Sequence, residues 1–173
     1  MTVSYTSHEQ IEVYRFSLGA AVGIPLAAVV LQAFIPVYLH VFQVLDLPLL
    51  VTIFFAISRR SPVTGLLAGG AIGLLQDSLT RHPLGLYGIA KTIIGYSASS
   101  LGVKIDVDNP GSRLLLTFLF YLLHAVIYFV VARGLVQQQD LHWRWTQVLI
   151  AAFANGVLAV PLFAFLDRFK RRA

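Results

Sequence analysis

Two ionisable side chains, Asp77 and Lys91, stand inside runs that are otherwise apolar. Asp77 closes PVTGLLAGGAIGLLQDSL (62–79), and Lys91 interrupts LGLYGIAKTIIGYSASSL (84–101). No other arrangement in the chain has spacing suited to chemistry. His8, His40, His82, His124 and His142 are scattered, without the i, i+4 pairing that turns two ligands onto one helix face. HExxH, a Walker loop and GxSxG are all missing. With no cysteine there is no thiol nucleophile and no cysteine metal site. Asp106, Asp108 and Asp140 fall in hydrophilic connections, and no two carboxylates share a helix face for acid/base work. The expectation is a protein that is not an enzyme, with no catalytic, cofactor-binding or metal residues.

The elements that must position Asp77 and Lys91 are membrane helices. Of the residues, 57 per cent are hydrophobic and 12 per cent charged, and the mean hydropathy is +0.76. A soluble domain of ordinary makeup is far from these values. The 173 residues hold about six spans of 17 to 25 residues, which predicts an all-α integral membrane protein in a single polytopic domain. The spans fall at about 16–38, 44–57, 62–79, 84–101, 113–131 and 146–166. The second is short. Eleven clearly apolar residues, 47–57, reach only about 17 Å against roughly 30 Å of hydrocarbon. That piece must extend back to Val44, thin the bilayer or be re-entrant. Pro25 and Pro36 predict a kink or an early end in the first span, unless they are simply tolerated, as prolines often are in spanning helices. The polar first fifteen residues, with Glu9 and Glu12, are unlike a cleavable leader, so the amino terminus is expected to be retained.

In the third span Gly65, Gly69 and Gly73 recur every fourth residue, and Asp77 completes the spacing. Each interior glycine costs roughly 0.8 to 1 kcal/mol relative to alanine in water. In a bilayer, a small residue at each fourth position lets another helix backbone approach closely, so the stripe is expected to be a helix-packing face. Asp77 and Lys91 are both costly at depth, and such groups pair or line cavities. Helix side chains tilt towards the amino terminus, which lets Lys91 reach up as Asp77 reaches down, and an intramembrane polar pair is expected. The alternative is that Asp77 caps the following turn and Lys91 reaches a polar interior alone.

Orientation follows from lysine and arginine. With six spans, Arg15, Arg59, Arg60, Lys104, Arg113, Arg168, Lys170, Arg171 and Arg172 share one side, against Arg81, Arg133 and Arg144, so nine oppose three. Both termini are expected in the cytoplasm. The net charge of +5 reflects that topology rather than nucleic acid binding.

The run GLLAGGAIGLLQDSLTRHPLGLYGIAKTIIGY resembles the signature of the bacterial rod-shape-determining protein MreD family. Leu74, Leu75 and Asp77, then Pro83, Leu84 and Gly85, then Gly95 and Tyr96 carry it. A last-helix motif, NGVLAVPLFAFLDRFKRR, adds Asn155, Gly156, Pro161 and the basic tail. Arg81 and His82 depart from the small or polar turn residues common in the family. The resemblance implies a non-enzymatic scaffold of lateral peptidoglycan synthesis in the bacterial inner membrane. It would maintain cell shape by binding MreC, and would work indirectly with MreB, a RodA-type glycosyltransferase and a class B penicillin-binding protein. It also implies a helix arrangement similar to the substrate-binding subunits of energy-coupling-factor transporters. A vitamin-type transporter subunit is therefore the alternative function. Membrane lipid is an expected partner, and the sequence is compatible with a homo-oligomer.

Overall fold

The shortest span becomes the centre of the bundle. In the computed structural model, α2 (Leu47–Arg59) packs against every other helix: α1 (Leu18–Tyr38), α3 (Pro62–Thr80), α4 (Leu86–Gly102), α5 (Pro110–Gly134) and α6 (Trp145–Leu166). All residues from Pro48 to Ser58 are buried. A helix shielded from lipid on every side need not match the bilayer, and its thirteen residues cover only about 20 Å. The structure describes residues 14–80, 83–102, 109–138 and 141–172. The expectations placed on His8, Glu9 and Glu12, on Arg81 and His82, on Lys104, Asp106 and Asp108, and on Asp140 lie outside them.

The helix expected over 44–57 runs from Leu47 to Arg59. Its start is fixed locally: Asp46 is the N-cap, accepting from the Leu49 N–H, and Pro48 occupies the first turn, where a missing donor costs nothing. Ahead of it lies a 3-10 turn, His40–Val44. At the far end Arg60 ends the helix in the left-handed region, at φ 51°. α5 extends beyond the expected 113–131 because Asn109 caps it, with Pro110 as its first residue. α1 continues through Pro25 and ends two residues after Pro36.

Among the described residues, four segments are long and apolar enough to cross a membrane: Leu18–Tyr38, Phe42–Arg59, Pro110–Gly134 and Trp145–Phe169. α3 and α4 fall outside that group, α4 because it is only 17 residues long and α3 because glycine and polar residues dilute its apolar ones. They compensate by packing on each other. A Cβ at Gly65, Gly69 or Gly73 would overlap, respectively, the α4 backbone at Gly95, at Lys91, and at Tyr87 and Gly88. Both helices step by four, so the main chains touch at three points over about two turns. On α1, Gly19 and Gly23 have the same spacing, yet a Cβ at either would meet open space.

One end of the bundle gathers the two ends of the described residues. β1 (Tyr14–Arg15) pairs antiparallel with β2 (Arg171–Arg172), Tyr14 opposite Arg172 and Arg15 opposite Arg171. Beside this two-residue ladder, Asp167 bridges Arg113 Nη2 and Lys170 Nζ, each at 2.7 Å. Exposed apolar side chains such as Leu67, Leu119 and Phe153 cover the outer faces, as contact with acyl chains requires.

The glycine contacts predict a graded response to bulk. Gly69→Leu and Gly73→Leu should destabilise by about 1–3 kcal/mol or more, because a backbone atom cannot move aside as a side chain can. Gly23→Leu and Leu66→Ile should leave the melting temperature in one detergent close to the parent's. Equal melting of all four variants with the parent would contradict the close helix contact.

Candidate functional site

The segment before α2 brings irregular backbone deep into the bundle. Gln32 lies six residues before the end of α1 and Asn155 ten residues after the start of α6. These offsets put their amides about 9 and 15 Å below the helix ends. Between them they satisfy four backbone groups of that segment. Gln32 Nε2 donates to the Leu45 carbonyl at 2.9 Å, and its Oε1 accepts from the Leu47 N–H at 3.0 Å. Asn155 Nδ2 donates to the Val44 carbonyl at 2.9 Å, while its Oδ1 accepts from the Asp46 N–H at 2.9 Å. Non-helical backbone is tolerated at membrane depth only where it is buried in protein or lines a water-filled cavity, and here these two amides supply its partners.

Asp46 joins this network to α4. Its Oδ2 accepts from Lys91 Nζ at 2.7 Å, and Lys91 is 0 per cent exposed. The same ammonium lies 5.0 Å from the centre of the Tyr87 ring. The expected partnership of Lys91 with Asp77 is corrected here: the lysine salt-bridges Asp46. Asp77 is also buried, but its carboxylate holds the start of α4. Oδ2 accepts from the Gly85 and Gly88 N–H groups at 2.9 and 3.1 Å, and Oδ1 accepts from Tyr87 N–H at 3.0 Å. An anion is favourable there because the first amides of a helix lack internal partners and carry its positive end. Gly85, at φ 98°, takes a backbone conformation that side-chain-bearing residues rarely adopt and turns its N–H to the acid.

The last-helix motif divides between interior and surface. Asn155 is wholly buried in the network, and Gly156 faces the Leu114 carbonyl of α5, 3.1 Å from where a Cβ would sit. Pro161 is exposed on the outer face of α6. The spacing of the sequence did not single out Asp46 or Gln32. Asp46 had a local signal, being the lone charge between Phe16 and Ile57 and standing two residues before a proline, as an N-cap often does. Gln32 had none.

Above the ion pair lies a cavity of about 270 Å³ lined by residues of α1, α3, α4, α5 and α6 and of the segment before α2, with Asp46 at its floor. Tyr87 stacks on His124, with ring centres 5.9 Å apart and planes 8° apart, and Tyr128 tilts against Tyr87 at 5.0 Å. Trp143 and Arg144 line it where the α5–α6 connection passes, at the end of the bundle opposite the β1–β2 pair. Among the described residues, no three metal-ligating side chains converge.

These features define a multi-pass helical membrane protein whose buried charges and amides hold an interrupted helix at depth. The chain belongs to the MreD family: residues 11–169, nearly its whole length, match the family model for the rod shape-determining protein MreD. Its role is therefore in rod shape determination. No curated protein and no solved structure matches the chain, so the expected likeness to energy-coupling-factor subunits gains no support.

A double-mutant cycle tests the ion pair. Asp46→Asn or Lys91→Met alone should cost about 3–5 kcal/mol by stranding a buried charge, with the double variant losing less than the sum. The cycle of Asp77→Asn with Lys91→Met should be close to additive by comparison. Thermal melting in one detergent reads both, and additivity in the Asp46–Lys91 cycle would refute the pairing.

Proposed function

We propose that the chain is a non-enzymatic scaffold of the cell-elongation machinery, binding MreC in the inner membrane. Through MreC it serves MreB, a RodA-type glycosyltransferase and a class B penicillin-binding protein. The observation that carries this reading is the family match across the whole helical bundle. The use of the buried polar groups supports it. Asp46, Lys91, Asp77, Gln32 and Asn155 are engaged in fixing helix ends and irregular backbone, which is the work of a rigid platform.

In the proposed topology six helices cross the membrane and both termini are cytoplasmic. The β1–β2 pairing, which keeps both ends of the described chain on one side, favours an even number of crossings. The nine-to-three basic asymmetry favours the cytoplasm for that side. The cavity beside Trp143 then opens towards the periplasm.

Affinity purification from the native membrane should recover MreC with the intact chain. The Asp46→Asn variant should lose MreC in proportion to its loss of folded protein. Failure to recover MreC with well-folded parent protein would count against the scaffold reading. A phosphatase fused ahead of Arg15 should be inactive, and activity there would overturn the topology.

A further inference from the structure

Three buried polar atoms on the wall of the aromatic cavity have no hydrogen-bond partner: His124 Nε2, Gln76 Oε1 and Trp143 Nε1. His124 and Gln76 are only 5 and 3 per cent exposed. Buried groups of this kind are nearly always satisfied, so a cluster of them around one cavity points to something that enters it. A second cavity of about 630 Å³ runs between α1 and α3. The two meet at Gln32, Gln43, Gln76 and Tyr87. The second is lined by Phe34, Val37 and Leu79, all with substantial exposure on the outer surface of the bundle. One end of the combined space is polar and aromatic, and the other is apolar and faces the acyl chains.

The chemistry of the polar end narrows the ligand. Asp46 at its floor is neutralised by Lys91 at 2.7 Å, so a charged headgroup would find no counter-ion at depth, and burying an unpaired charge is costly. The unpartnered atoms include both donors and acceptors. Three tyrosine rings, Tyr87, Tyr121 and Tyr128, line the wall, and ring faces of this kind pack against the C–H faces of a sugar ring while its hydroxyls reach the polar atoms. The volume fits one small headgroup rather than a larger solute. We infer that the chamber binds the neutral glycosyl headgroup of a membrane lipid, with one acyl chain lying in the groove between α1 and α3.

The chain has two tryptophans, Trp143 on the cavity wall and Trp145 beside it, and their rings are 5.1 Å apart, so intrinsic fluorescence reports on occupancy. The full chain is placed in phosphatidylcholine nanodiscs and titrated with monoglucosyl diacylglycerol. A saturable fluorescence change is expected. His124→Leu and Gln76→Leu should each weaken it about tenfold by removing a buried hydrogen-bonding group. Their melting temperatures without glycolipid should equal or exceed the parent's, because each deletes an unsatisfied atom. If either substitution prevents folding, Ala125→Leu, which narrows the chamber, should abolish the saturable change in its place. Phosphatidylglycerol at the same mole fraction, and free methyl glucoside, should each give no saturable response. The inference is overturned by a glycolipid titration without saturation, which leaves the cavity to water. It is overturned equally by folded variants that bind as the parent does, by an equal response to phosphatidylglycerol, which places binding at Arg144 on the rim, or by an equal response to free methyl glucoside, which removes the acyl chain from recognition.

Discussion

Backbone amides and carbonyls at membrane depth must be satisfied by protein, and the interruption before α2 makes that requirement acute. Val44, Leu45, Asp46 and Leu47 lie where lipid offers no hydrogen bonds, and each such group left unpaired would cost several kcal/mol. Two primary amides answer the need because each carries a donor and an acceptor on one rigid plane. Gln32 reaches from α1 and Asn155 from α6, so meeting the backbone requirement also clamps the first and last helices onto the central one. The Asp46 carboxylate, already used to cap α2, adds α4 through Lys91. Helices α1, α2, α4 and α6 are therefore joined at a single depth.

The glycine face of α3 contributes to the same assembly. Gly69 packs on the main chain of Lys91, the residue whose side chain reaches Asp46. Gly73 packs one turn away against Tyr87 and Gly88, whose N–H groups Asp77 receives. α3 thereby sets the depth of α4 twice, by backbone contact and by a carboxylate at the helix start. A bulky residue on that face would displace Lys91 from its partner, so the packing of glycines and the energy of the ion pair are coupled. The interior thereby resists sliding of one helix past another.

Much of the architecture was legible in the chain itself. Apolar run length and punctuation gave the helices, and the four-residue glycine spacing marked α3 for close approach, since only a residue without a side chain allows two main chains to touch. The order of the LLxD, PLG, GY and NG motifs was sufficient for the family. Spacing was an incomplete guide, however. Gly19 and Gly23 repeat the interval on α1 and face open space, because the interval describes one helix and says nothing of whether a second is opposite.

The chain alone determined that Asp77 and Lys91 would be buried and in need of partners, because ionised groups in apolar helices have few alternatives. Tertiary structure decided which partners they took. Asp77 is adjacent in sequence to the turn it caps, and the free amides of α4 were a nearby claim on its oxygens. Lys91 was thereby left to a carboxylate 45 residues earlier in the chain, presented by a segment whose descent into the bundle has no periodic signature. The roles of Gln32 and Asn155 depend on that same descent. A glutamine in an apolar helix announces only that it requires hydrogen bonds, and the folded bundle alone supplies the backbone that meets the need.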